Sequence, residues 1–141
     1  MGTRLYRTNQ GQAMDELDAL LERLGKSGFL LHAFHVDHHG PDILAAVRDY
    51  HGLADVVVLF DESTACAYRT PTGDGLDLYN PQTVYWWYGT NPIHTLRAVL
   101  TLAPPGHPDA PVTLTEAPRG YGLPRAARTP VQVRVPRWHR P

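Results

Sequence analysis

Four of the eight histidines fall within residues 32–39: His32, His35, His38 and His39, with Asp37 among them. Imidazole and carboxylate are competent ligands for zinc and similar divalent ions. On an extended strand His35 and Asp37 project to one face, and His38 and His39 follow just beyond. His35, Asp37, His38 and His39 are therefore the candidate ligands of a divalent metal, the only cofactor the sequence suggests. The plainer reading is a polar strand end with solvated histidines. Such a cluster gains positive charge on mild acidification, since an unperturbed imidazole titrates near about pH 6.5. Asp61 and Glu62 end a second apolar run and are candidates for lining a ligand pocket at a strand end. In an open α/β sheet, ligands gather beyond the carboxyl ends of parallel strands. Being adjacent, the two carboxylates point to opposite faces of any strand and do not form a facing acid–base pair.

Other chemistry has less to stand on. Cys66 is the only cysteine and sits among small residues in Thr64-Ala65-Cys66-Ala67-Tyr68, the setting of a buried hydrophobe rather than a nucleophile. No Gly-x-Ser-x-Gly elbow is present. Gly120-Tyr121-Gly122 precedes Leu-Pro rather than a helix, so it is no phosphate-binding loop.

The stretch Phe34-His35-Val36-Asp37-His38-His39-Gly40 resembles the end of the metallo-β-lactamase superfamily motif, His-x-His-x-Asp-His. That resemblance implies His35, Asp37 and His38 as metal ligands. It departs from the motif at Ala33, which stands where the first histidine belongs, and the chain is shorter than that fold requires.

Two surfaces suggest binding instead of catalysis. In Gln82-Thr83-Val84-Tyr85-Trp86-Trp87-Tyr88, alternation places Tyr85 and Trp87 on one side of a strand and Trp86 and Tyr88 on the other. Exposed Trp and Tyr are enriched at interfaces, which makes Trp86 and Trp87 candidate partner contacts. The second surface is the C-terminal segment, whose Arg125, Arg128, Arg134, Arg137 and Trp138 combine cationic and stacking groups. That combination suits a protein partner, a neighbouring protomer or single-stranded nucleic acid.

The elements that must position these groups follow from periodicity. Met14, Leu17, Leu20, Leu21 and Leu24 share one face of a helix over Gln12–Leu24, with Gly25 as its cap. Phe29–Val36 reads as a strand. Gly40-Pro41 opens a second helix over Pro41–Tyr50, with Ile43, Leu44 and Val47 as its stripe and Gly52 as its stop. Asp55–Phe60 is a β-branched run suited to a strand buried on both faces. Together these three predict a βαβ unit. Thr64–Arg69 is a hairpin partner, and Asn91-Pro92 caps a helix carrying Ile93, Leu96, Val99 and Leu100. Beyond Ala103 the texture becomes irregular: nine of the 13 prolines lie in residues 104–141, around two short strand-like pieces, Val112–Thr115 and Val131–Val135.

The expected fold is α/β or α+β: a small mixed sheet with helices packed on it. Residues 1–103 form the body, and residues 104–141 form a proline-rich, basic arm packed on it or on a neighbour. The chain's 141 residues suffice for one domain. No apolar run approaches the roughly 20 residues of a membrane span, which argues against a membrane partner. The start of the chain shows no signal-like stretch, so a cytoplasmic location is expected.

The formal charge of −1 conceals a split. Residues 1–116 hold all 14 acidic residues and a net of −7, whereas residues 117–141 hold six arginines and no acid. With no complete catalytic constellation, the expected function is a small non-catalytic accessory protein. It would act through protein–protein contacts, as a homo-oligomer. A metal-binding protein centred on residues 32–39 and a nucleic-acid-associated regulator using the arm are the alternatives.

Overall fold

A computed structural model describes residues 15–35, 42–124 and the backbone of 132–133. The first helix, α1 (residues 15–26), buries Leu17, Leu20, Leu21 and Leu24 of the expected stripe; Met14 and the expected start at Gln12 lie outside the described residues. Its stop lies three residues later than Gly25. Gly28 takes a φ of +97°, and the Phe29 N–H returns to the Leu24 carbonyl at 3.2 Å, the six-to-one bond of a glycine-capped helix end.

Four strands then form a continuous antiparallel meander: β1 (Leu30–Phe34), β2 (Ile43–Asp49), β3 (Leu53–Leu59) and β4 (Ala65–Pro71). β5 (Thr83–Val84) and β6 (Trp86–Thr90) follow, then α2 (Pro92–Leu100), β7 (Thr115–Glu116) and β8 (Gln132–Val133). The main sheet runs β6-β4-β3-β2-β1, with β8 paired on the outer side of β1. β5 and β7 make a separate two-stranded ribbon.

The helix expected over residues 41–50 is strand β2, so the βαβ unit is absent and every described pairing is antiparallel. The reason lies in burial. Leu44 and Ala46 face the helices while Ile43 and Ala45 face the opposite core, so β2 has no polar side to give it an alternating pattern. Such a run also matches a helical stripe. Residues 50–53 are in fact a tight hairpin turn. The Tyr50 N–H donates to the Leu53 carbonyl at 2.8 Å, and both central residues have positive φ, His51 at 61° and Gly52 at 127°. This twist matches that of the flanking strands. The His51 N–H also donates to the Asp49 carboxylate at 2.8 Å.

Two cores cover the two faces of the sheet. On one side α1 and α2 pack over Ala33, Leu44, Ala46, Val57, Leu59 and Ala67. On the other, Phe34, Val56, Val58, Cys66 and Tyr68 are covered by non-helical chain: Leu78, Tyr79, Val84, Ala117, Tyr121 and Leu123. The described part of the proline-rich stretch, up to residue 124, thus contributes side chains to the second core. Asn91 caps α2 as its Asn-Pro signature predicts, its side chain accepting the His94 N–H at 2.9 Å. An ion pair between Arg97 and Glu16 links the two helices.

Candidate functional site

His35 directly follows β1, where its Nδ1 lies against the Asp42 carboxylate across the mouth of the β1–β2 hairpin. Asp37, His38 and His39 lie outside the described residues. His32 points to the other side of the strand, with its ring 6.3 Å from that of Phe34. Among the described residues no group of three or more His, Cys, Asp or Glu is placed to hold a metal ion.

Asp61 and Glu62 are exposed in the β3–β4 turn. The Asp61 carboxylate accepts the Ser63 N–H at 2.8 Å and its hydroxyl at 3.1 Å, and these bonds hold its pKa below the ordinary value. Because the strands that flank them pair antiparallel, the parallel-strand geometry that singled them out is absent from this part of the sheet. The candidate contacts Arg125, Arg128, Arg134, Arg137 and Trp138 lie outside the described residues.

Cys66 is buried in the second core, and burial pushes its thiol up to about 11. A thiol that holds its proton so far above neutrality is a poor nucleophile.

A buried polar constellation that residue spacing does not announce joins β3 and β4. Asp55 and Arg69 stand opposite each other in the β3–β4 ladder. Arg69 donates from Nε to one carboxylate oxygen at 2.6 Å and from Nη2 to the other at 2.9 Å. Its Nη1 donates to the Ala103 carbonyl at 2.8 Å, just past α2. The Tyr50 ring lies 5.5 Å from this guanidinium and 4.8 Å from that of Arg48. Both members of the pair are buried. With a donor from each of its three nitrogens engaged and no solvent access, the pair joins β3, β4 and the end of α2 rather than meeting a ligand. The signal for it was the hairpin itself: once the turn is set at residues 60–64, the register places residue 55 against residue 69.

The remaining feature is the sheet edge at β6. Trp86 and Tyr88 lie on the helix side, their rings nearly parallel with centroids 6.5 Å apart. They line an open groove of about 720 Å³ with Ala98, Thr101, Pro104, His107, Asp109 and Pro111. Trp87 projects to the other side and meets Tyr121 edge-on at 5.8 Å. The alternation expected for Trp86, Trp87 and Tyr88 is therefore present, whereas Tyr85 falls in the break between β5 and β6, which belong to different sheets. Gly89 permits this arrangement, because a Cβ there would fall 2.3 Å from the Tyr121 hydroxyl. Trp87 remains 50% exposed and Tyr88 38% exposed.

Val112 and Leu114 are also exposed large hydrophobics. They lie between Pro111, which lines the Trp86–Tyr88 groove, and Thr115, which pairs with Val84 immediately before β6. Val112 and Leu114 thus belong to the segment that runs from this groove to the β5–β7 ribbon. Composition had pointed to the aromatics but not to these two residues, whose proline-flanked segment read only as a short strand.

The fold is an α+β one, a largely antiparallel sheet with two helices on one face and irregular chain on the other. No protein-family model matches the chain, and no curated protein or solved structure matches it either. Among the described residues no helix is long and apolar enough to cross a membrane.

Proposed function

We propose that the chain is a small non-catalytic binding protein that acts through protein–protein contact, with β6 and its flanking residues as the contact surface. The observation that carries this is the exposure of Trp87 and Tyr88 on edge strand β6, with Val112 and Leu114 exposed in the segment that leads to β7. Contiguous exposed apolar surface marks interaction sites in soluble proteins, and Trp and Tyr are the residues that most often dominate binding energy. The other polar features support the same reading. Cys66 is buried with its pKa raised, and Asp55 and Arg69 neutralise one another out of solvent.

Photo-crosslinking in cells tests the proposal. A p-benzoyl-phenylalanine placed at Trp87 is expected to give a discrete protein adduct, whereas the same group at Leu76, an exposed residue in the β4–β5 connection, gives none. Absence of any adduct from position 87 overturns the proposal.

A further inference from the structure

We infer that the partner at β6 is a second copy of this chain, joined by antiparallel pairing of β6 with β6 about a two-fold axis at Tyr88. This assignment of the partner rests on the protein-contact function proposed above.

Among the described residues β6 hydrogen-bonds to β4 on one side only, while the opposite margin of the sheet is extended by β8. An edge strand offers a row of backbone donors and acceptors. Proteins ordinarily blunt such edges with Lys, Pro, inward charges or bulges. Trp86-Trp87-Tyr88-Gly89-Thr90 contains no charge and no proline, and its register with β4 is continuous over all five residues.

Charge narrows the choice of occupant. Residues 78–96 include no Asp, Glu, Lys or Arg, nor do residues 110–115, in a chain that is 19% charged. β6 itself offers an acidic or basic partner no counter-charge, although Asp109 lines the adjoining groove. A second copy brings a surface as neutral as the one it meets, so self-pairing sets no like charges against each other.

The side chains suit a two-fold axis. Centred on Tyr88, the pairing sets Trp87 of each copy opposite Gly89 of the other and Trp86 opposite Thr90. Large therefore meets small at the two flanking pairs, and the two Tyr88 side chains meet each other on the axis of a self-complementary interface. Tyr121 already covers Gly89 within its own chain, so each incoming Trp87 meets an aromatic surface. Two of the six exposed large hydrophobics among the described residues, Trp87 and Tyr88, lie on this edge strand, and two more, Val112 and Leu114, in the segment that leads to β7.

The test is the mass of the purified full-length chain by size-exclusion chromatography with light scattering. The expected wild-type mass is twice the 15.7 kDa of one chain. Trp87→Lys is expected to weaken the dimer at least tenfold, as loss of a central aromatic contact of about 1.4 kcal/mol or more does, with an unchanged far-UV circular dichroism spectrum. Should that variant fail to fold, Tyr88→Lys, at a 38% exposed position on β6, serves the same purpose. Tyr88→Cys is expected to form a disulfide-linked dimer under mild oxidation, and Leu76→Cys is not.

A monomeric wild type at its highest soluble concentration overturns the self-pairing. So does a dimer insensitive to these substitutions that gives no Tyr88→Cys cross-link. The adduct from position 87 separates the two levels: a mass other than that of two chains overturns self-pairing but leaves the contact function, and no adduct overturns both.

Discussion

Arg69 stands directly across the β3–β4 ladder from Asp55 and grips both of its carboxylate oxygens, at 2.6 and 2.9 Å, with neither side chain open to solvent. Desolvating two charges is expensive, and their mutual attraction offsets that cost only while both are present. Arg69→Leu or Asp55→Leu is therefore expected to destabilise the fold by about 3–5 kcal/mol, since each leaves a buried charge unpaired. An apolar double replacement, Asp55→Val with Arg69→Met, is expected to lose less than either single change. Urea unfolding of the three variants checks this; a double variant equal to the sum of the singles would show that the two residues do not act as a pair.

Two glycines separate a strained backbone from a movable neighbour. Gly122 has a φ of +106°, and a Cβ there would fall 2.3 Å from the Tyr79 carbonyl oxygen, a backbone atom fixed by its own bond from the Leu123 N–H. At Gly89 the obstacle is the end of the Tyr121 side chain. Gly122→Ala is expected to cost roughly 2–4 kcal/mol, from the forbidden φ and the clash together. Gly89→Ala should cost about half as much, because Tyr121 can swing away. Thermal unfolding by circular dichroism ranks the two.

Alkaline pH should weaken the fold in a defined window. Burial raises the Cys66 thiol from 9.0 to about 11, and desolvation likewise raises Tyr79 and Tyr121 above 10.0. In each case the folded state holds a proton that the unfolded chain releases, so stability falls as pH rises. The thiol's contribution is complete below about pH 9 and is lost through about 11. Urea midpoints are expected to be level between pH 7 and 8.5 and to decline above 9, with Cys66→Ala flattening the first part of the decline. The native thiol should also resist Ellman's reagent at pH 8 until the chain unfolds.

The Asn91 cap gives a smaller, local effect. Asn91→Ala removes the acceptor of the His94 N–H and is expected to cost about 1 kcal/mol, while Asn91→Ser retains most of the stability. Chemical denaturation resolves a difference of that size.

How far the sequence could be read depended on whether an element had a polar side. The stripe of α1 and the Asn-Pro start of α2 were legible because each helix faces water on one flank. β2 was not, since Ile43–Ala46 is apolar on both faces and mimics a helix. The missed clue was His51-Gly52, which resembles the Asn-Gly pair of tight hairpins, with histidine tolerating positive φ better than most residues. Reading those two residues as a turn converts the expected crossover into a meander. The same change removes the parallel-strand geometry that had singled out Asp61 and Glu62. Trp86 and Trp87 stood out by residue type alone, and their split across β6 followed from the two-residue strand repeat. The segment that carries Val112 and Leu114 is placed by the β5–β7 ribbon, a contact between segments some thirty residues apart with no local pattern to announce it.

The third hydrogen bond of Arg69, to the Ala103 carbonyl, governs how the molecule comes apart. Were α2 to peel from the sheet, that bond would break and water would reach a guanidinium and a carboxylate that the fold keeps dry. Detachment of the helix is thereby tied to disruption of β3 and β4, and the three should behave as one cooperative unit. Amide protons of α2, which a nine-residue surface helix would ordinarily exchange early, should then exchange alongside those at the centre of the sheet.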